Sequence, residues 1–177
     1  MTTYNPRLES LNNYVKAVPY DHFGPVYVVS FTAVAVTAAQ DVFELNVAST
    51  LRGAYLREVR IGQYSDAGDT AAEMLSVLVI KGYTVTGSGG GAFTPVPIDA
   101  RSVAASSTAA INNTTVANTG TALTLVSDAF NIQAGWLYQP GPSDRPRLAA
   151  SDRLVVRITI PADSLTMNGT LVYEELL

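Results

Sequence analysis

SDRLVVRITIPADSLTMNGTLVYEELL, residues 151–177, decides the fold. In its first half Leu154, Val156, Ile158 and Ile160 fall at every second position, with Arg153, Arg157 and Thr159 between them. In its second half Leu165, Met167, Leu171 and Tyr173 share one parity, and Thr166, Asn168, Thr170 and Glu174 the other. Side chains of a strand alternate between two faces, so both halves predict half-buried strands. Pro161 has no N–H for a ladder and predicts the end of the first strand. Strands that reach the last residues predict a terminus held in a sheet, not a loose tail. The polar positions form no catalytic set, and Glu174 and Glu175, being adjacent, point to opposite faces.

Working outward, the same alternation recurs. Val26 to Ala38 is apolar at both parities, which predicts a strand covered on both faces or with one face in an interface. Asp41 to Ser49 sets Phe43, Leu45 and Val47 against Val42, Glu44 and Asn46. Gly53 to Gly62 puts Arg57 in phase with Tyr55, Val59 and Ile61, so either that face is partly buried or a bulge lies nearby. Met74 to Tyr83 and Thr121 to Ile132 predict two more strands. Gly87–Gly91 reads as a flexible linker, Asp99 as the cap of a short helix, and Ser106–Gly120 as a long exposed loop. Pro95 and Pro97 argue against a central strand there. Seven or eight strands without helical periodicity predict an all-β fold, an antiparallel β-sandwich or jelly roll. Residues 1–25 differ: Tyr4, Tyr14, Tyr20 and Phe23 are scattered among Pro and Asn, with a short helix possible from Pro6 to Val15. They read as an extended N-terminal arm, lying on its own domain or on a neighbouring subunit, ahead of one domain at 26–177.

With 177 residues, 47% of them hydrophobic, the chain has material for one substantial core. Only 15% are charged, a hint that part of the surface is covered in an assembly. The net charge of −4 and the absence of a basic stripe argue against nucleic acid as a partner. No apolar run spans a bilayer, and the start has no basic-then-apolar leader, so neither membrane insertion nor Sec export is expected.

Chemistry is thinly signalled. The chain has no cysteine, and His22 is its one histidine, without the motifs of a triad or a zinc site. Asp66, Asp69 and Glu73 could ring a calcium ion, but Asp and Gly also make plain turns, which is the preferred reading. GSGGG lacks the Lys-Ser/Thr of a phosphate loop. No catalytic residue, metal or cofactor is therefore expected. Trp136 and Tyr138 support two readings, a core tryptophan capping the sandwich or a sugar-stacking platform. Arg145 and Arg147, close to Asp144 and Asp152, read as an interface salt-bridge cluster or as a solvated loop.

From Phe130 onward the chain resembles tailed-bacteriophage virion proteins with jelly-roll domains. FNIQAGW at 130–136, PGPSDRPRL at 140–148, LVVRITIPADSLT at 154–166 and GTLVYEEL at 169–176 carry the resemblance, and TPVPIDARSVAAS at 94–106 also fits. The resemblance implies a non-enzymatic virion component made in the host cytoplasm. It implies a homotrimer acting as a capsid decoration or cement protein or a head fibre, with the major capsid protein as partner. A tail- or fibre-associated module binding a host glycan is the alternative. The expected partner surface comprises Tyr4, Tyr14, Tyr20, Phe23, Trp136, Tyr138, Arg145 and Arg147.

Overall fold

A computed structural model describes residues 24–65, 73–159, 161 and 164–177. Within them lie twelve strands: β1 (Val26–Val36), β2 (Gln40–Asn46), β3 (Gly53–Ser65), β4 (Met74–Val85), β5 (Gly91–Phe93), β6 (Val96–Pro97), β7 (Thr108–Asn113), β8 (Asn118–Asn131), β9 (Trp136–Tyr138), β10 (Arg147–Leu148), β11 (Arg153–Ile158) and β12 (Leu165–Leu176). They form two antiparallel sheets. One runs β10-β3-β12-β1-β6, with β9 also on β3; the other runs β5-β7-β2-β11-β4-β8.

The chain is an all-β sandwich. Strands β5, β6 and β7 belong to one excursion between β4 and β8. Without them the sheets read β1, β12, β3 and β9/β10 against β2, β11, β4 and β8, an order consistent with jelly-roll winding. The closing stretch supplies a central strand to each sheet. β11 lies between β2 and β4, and β12 between β1 and β3. Its apolar parity faces inward as the alternation requires: Leu154, Val156, Ile158, Leu165, Met167, Leu171 and Tyr173 are all buried. β11 ends at Ile158, ahead of Pro161.

Bulges explain the ambiguous strands. In β1, Tyr27, Val29 and Phe31 face the core, a register shift follows between Phe31 and Val34, and Val36 becomes the next buried residue. The two apolar parities of 26–38 are thus one inward face whose phase changes, not a strand covered throughout on both sides. In β3 the pairing with β12 skips Arg57, so Leu56 and Val59 both point inward while Arg57 stays half-exposed. The bulge alternative holds there.

The excursion departs most from expectation. Ser106–Gly120 is not an exposed loop: β7 pairs with both β2 and β5, and Ser107, Ala109, Asn113 and Ala117 are buried. Gly87–Gly91 is no free linker. A Cβ on Gly90 would lie 2.2 Å from the Ile111 carbonyl oxygen, so the glycine permits backbone to press on backbone. The expected helix after Asp99 is a turn, closed by the Ser102 N–H on the Asp99 carbonyl at 2.9 Å. β6, with Pro97, lies at a sheet edge, where proline is tolerated. Most of the 1–25 arm lies outside the described residues, with its Pro6–Val15 helix and Tyr4, Tyr14, Tyr20 and Phe23. So do Asp66 and Asp69 of the calcium reading.

Candidate functional site

The densest set of ionisable groups lies on the outer face of the β2–β11 pair. Alternation puts Glu44 of β2 and Arg153 and Arg157 of β11 there, a register shift that skips Val42 brings Asp41 to the same face, and the excursion covers them. Asp41 is fully buried. Its Oδ1 accepts from Arg157 Nε at 2.6 Å, and its Oδ2 accepts from Arg157 Nη2 at 3.2 Å and from the Ala117 N–H at 2.6 Å. Arg157 also donates to the Ala117 carbonyl at 2.8 Å and to the Tyr83 hydroxyl at 3.1 Å, with its guanidinium over the Tyr83 ring. Burial alone would lower the Arg157 pKa, but the Asp41 charge and hydrogen bonds and the Tyr83 contact raise it.

Glu44 is held in the same way. Its Oε2 accepts from the Gly87 N–H at 2.9 Å and from Asn113 Nδ2 at 2.8 Å. Arg153 Nε lies 2.8 Å from Glu44 Oε1 while its N–H is aimed at Asn46 Oδ1, so that contact is an ion pair without a hydrogen bond. Arg153 continues to the Tyr83 carbonyl and to Thr86 Oγ1. Beside this network Ile80, Val155 and Ala117 form a small second apolar cluster.

A second anchor sits at the end of β12. Glu175 accepts from the Ser106 and Ser107 N–H groups at 3.2 and 2.8 Å. Glu174 accepts from the Gly24 N–H at 2.9 Å and from Arg57 at 3.4 Å. Tyr27 donates to the Val103 carbonyl at 2.9 Å and packs on Tyr173. Burial, the Glu175 charge and Tyr27 together push the Tyr173 phenol far above its ordinary range. These carboxylates are occupied by backbone N–H groups and arginines. Asp41, Glu44 and Glu175 thereby tie the excursion to the sandwich.

The remaining predicted residues are dispersed along the outer edge of β3. Trp136 and Tyr138 lie on β9, opposite Ile61 and Val59, and Arg147 lies on β10, opposite Tyr55. Trp136 is 8% exposed, stacks on Tyr138 at 6.0 Å and donates through Nε1 to Asp128 at 3.0 Å. Its ring packs in the core cluster, while the residue also borders an open cleft with Leu137 and Gly135. Burial, then the Asp144 charge, raises the Tyr138 phenol pKa. The arginines form no cluster with Asp144 and Asp152. Arg147 reaches the Arg52 carbonyl at 3.4 Å, and Asp152 closes a turn by accepting from the Ala149 N–H. Arg145 lines an open cleft of about 510 Å³ with Arg57, Arg60, Ile98 and Val172, and its Nε is buried without a hydrogen bond.

One surface property was missed by motif reading. Between Lys81 and Asp128 the chain carries two charged residues, Asp99 and Arg101, and these pair with each other at 2.8 Å. The signal was present in the sequence as a gap in charge. Around that gap Val85, Val96, Ile98, Val103, Leu123 and Leu125 are exposed. Comparison of the chain with protein-family models, with curated proteins and with solved structures finds no match.

Proposed function

We propose that the protein is a non-enzymatic structural component of a bacteriophage virion, a capsid decoration or cement subunit that binds across capsomers. One observation carries the reading: residues 82–127 hold only the mutually paired Asp99 and Arg101 as charges and expose Val85, Val96, Ile98, Val103, Leu123 and Leu125, on a segment fixed to the sandwich by buried ion pairs. Soluble domains keep such surfaces small unless a partner covers them. Rigid anchoring suits a contact that works by area, because little ordering remains to be done on binding. The resemblance of residues 130–176 to phage jelly-roll proteins adds the particle, the capsid partner and the trimeric state. Repeated subunits on a shell would then gain by multivalency what each contact lacks.

The test is made on purified phage. Mass spectrometry of particles from a host carrying the gene should find the chain in the virion, in many copies. Removing residues 2–25 should lower its occupancy, since Tyr4, Tyr14, Tyr20 and Phe23 belong to the expected partner surface. A chain confined to the soluble host fraction, and never found in particles, contradicts the reading.

A further inference from the structure

β8 is the longest strand among the described residues, at 14 residues, and it ends its sheet with no strand on its outer side. From Asn118 to Leu125 every residue is exposed, Leu123 at 53% and Leu125 at 37%. A free edge presents a row of unpaired N–H and C=O groups to any strand that approaches. Sandwiches that stay monomeric defend such edges with brevity, lysine, proline or bulges. Thr121–Ser127, TALTLVS, has no charge and no proline. Among the described residues its one defence is a pair of irregularities in the pairing with β4, at Val79/Ile80 and Lys81/Tyr83. Beyond Ser127 the edge is closed, because Asp128 turns its carboxylate onto the Ala129 N–H and Trp136 Nε1.

We infer that the β8 edge is a self-association site, joining two copies of the chain by antiparallel β8–β8 pairing into one sheet that runs through both. The other edge strands, β5, β6, β9 and β10, are two or three residues long. A second copy therefore offers one edge of matching length, β8 itself. Identical edges meet about a twofold axis, which fixes the antiparallel sense. With the axis at 123–127 Asp128 faces an uncharged β8 residue of the other copy, and with the axis at Thr121 or Ala122 it lies past the end of the partner β8, so no like charges are opposed. The exposed Leu123 and Leu125 add apolar cover beside the ladder. This contact is separate from the threefold one in the particle reading and stands without it.

The cysteine-free chain allows a direct test. Single cysteines are placed one at a time at positions 121–127 of the full chain, with Ile98→Cys as an exposed control, and oxidised. Cα atoms directly across a ladder lie within disulfide reach, but only near the axis is a residue opposite itself. Pairing predicts a disulfide dimer peaking at one or two positions of β8 and little at Ile98→Cys. Leu123→Lys/Leu125→Lys should weaken the contact about tenfold or more, because it places cations at a shared edge. In light scattering a dimer should become a monomer, or a hexamer a trimer. Cross-linking that is absent or uniform across 121–127, or an oligomeric mass indifferent to the lysines in a variant that keeps its folded spectrum, overturns the inference.

Discussion

Asp41 is a carboxylate with no access to water, and its stability rests on Arg157 and the Ala117 N–H. Removing one member of a buried pair strands the other, at about 3–5 kcal/mol, whereas replacing both by apolar groups is often neutral. Arg157→Met should therefore lower unfolding free energy by about 3–5 kcal/mol in urea titration. Asp41→Leu/Arg157→Met should recover part of that loss, less about 1–3 kcal/mol for the Ala117 N–H left without an acceptor. In the double variant the Ala117 amide, without its Asp41 acceptor, should also lose protection from hydrogen exchange. Asp128 gives a pH handle at the same scale. The Trp136 indole hydrogen bond, then the Ala129 N–H, hold its pKa below the ordinary 3.8. A depressed folded-state pKa contributes stability that is complete above the unfolded value and is lost as pH falls through the folded one. Emission from the sole tryptophan should accordingly shift in acid below about pH 3.8, and Asp128→Asn should remove that step while leaving the neutral-pH fold intact.

At the scale of elements, the excursion is held by contacts distant in sequence, and this governs what could be read in advance. The framework strands were legible because alternation is local: Leu154, Val156 and Ile158 declare their face within a few residues. The bulge at Arg57 was legible for the same reason, as a break in that rhythm. β7 was not. Its Ala, Asn and Thr residues carry little strand signal, and what fixes it is Glu44 and Glu175, each more than sixty positions away. Arg153 and Arg157 looked like solvated strand positions because nothing local reveals the cover that buries them. The expected partner residues Trp136, Tyr138, Arg145 and Arg147 are dispersed along the edge of β3, and the salt-bridge cluster does not form: Arg147 and Asp152 take backbone partners, and Arg145 Nε is buried without a hydrogen bond. The glycines of 87–91 offer a clean check. Gly90→Ala should cost about 1–3 kcal/mol and release protection at Gly87, since its Cβ meets main chain that cannot yield. Gly91→Ala, whose Cβ meets Ile111 at an ordinary 4.0 Å, should unfold close to wild type.

At the scale of the molecule, the sandwich places charge unevenly. Buried carboxylates and arginines fasten the excursion, while the surface from Lys81 to Asp128 holds one self-paired set of charges. A contact made through such a surface depends weakly on salt, because few ions are released or screened when it forms. In the proposed role, binding to capsids should therefore change little between about 0.05 and 0.5 M salt, a range in which an ionic contact would fall away. The most direct test of the proposed capsid role is addition of purified protein to phage heads that lack it, followed by sedimentation and occupancy counting. The account predicts saturable binding at a fixed stoichiometry set by the shell lattice, with hydrogen-exchange protection gained within 84–127. Absence of binding to such heads, or binding that leaves 84–127 as exchangeable as in the free protein, would contradict it.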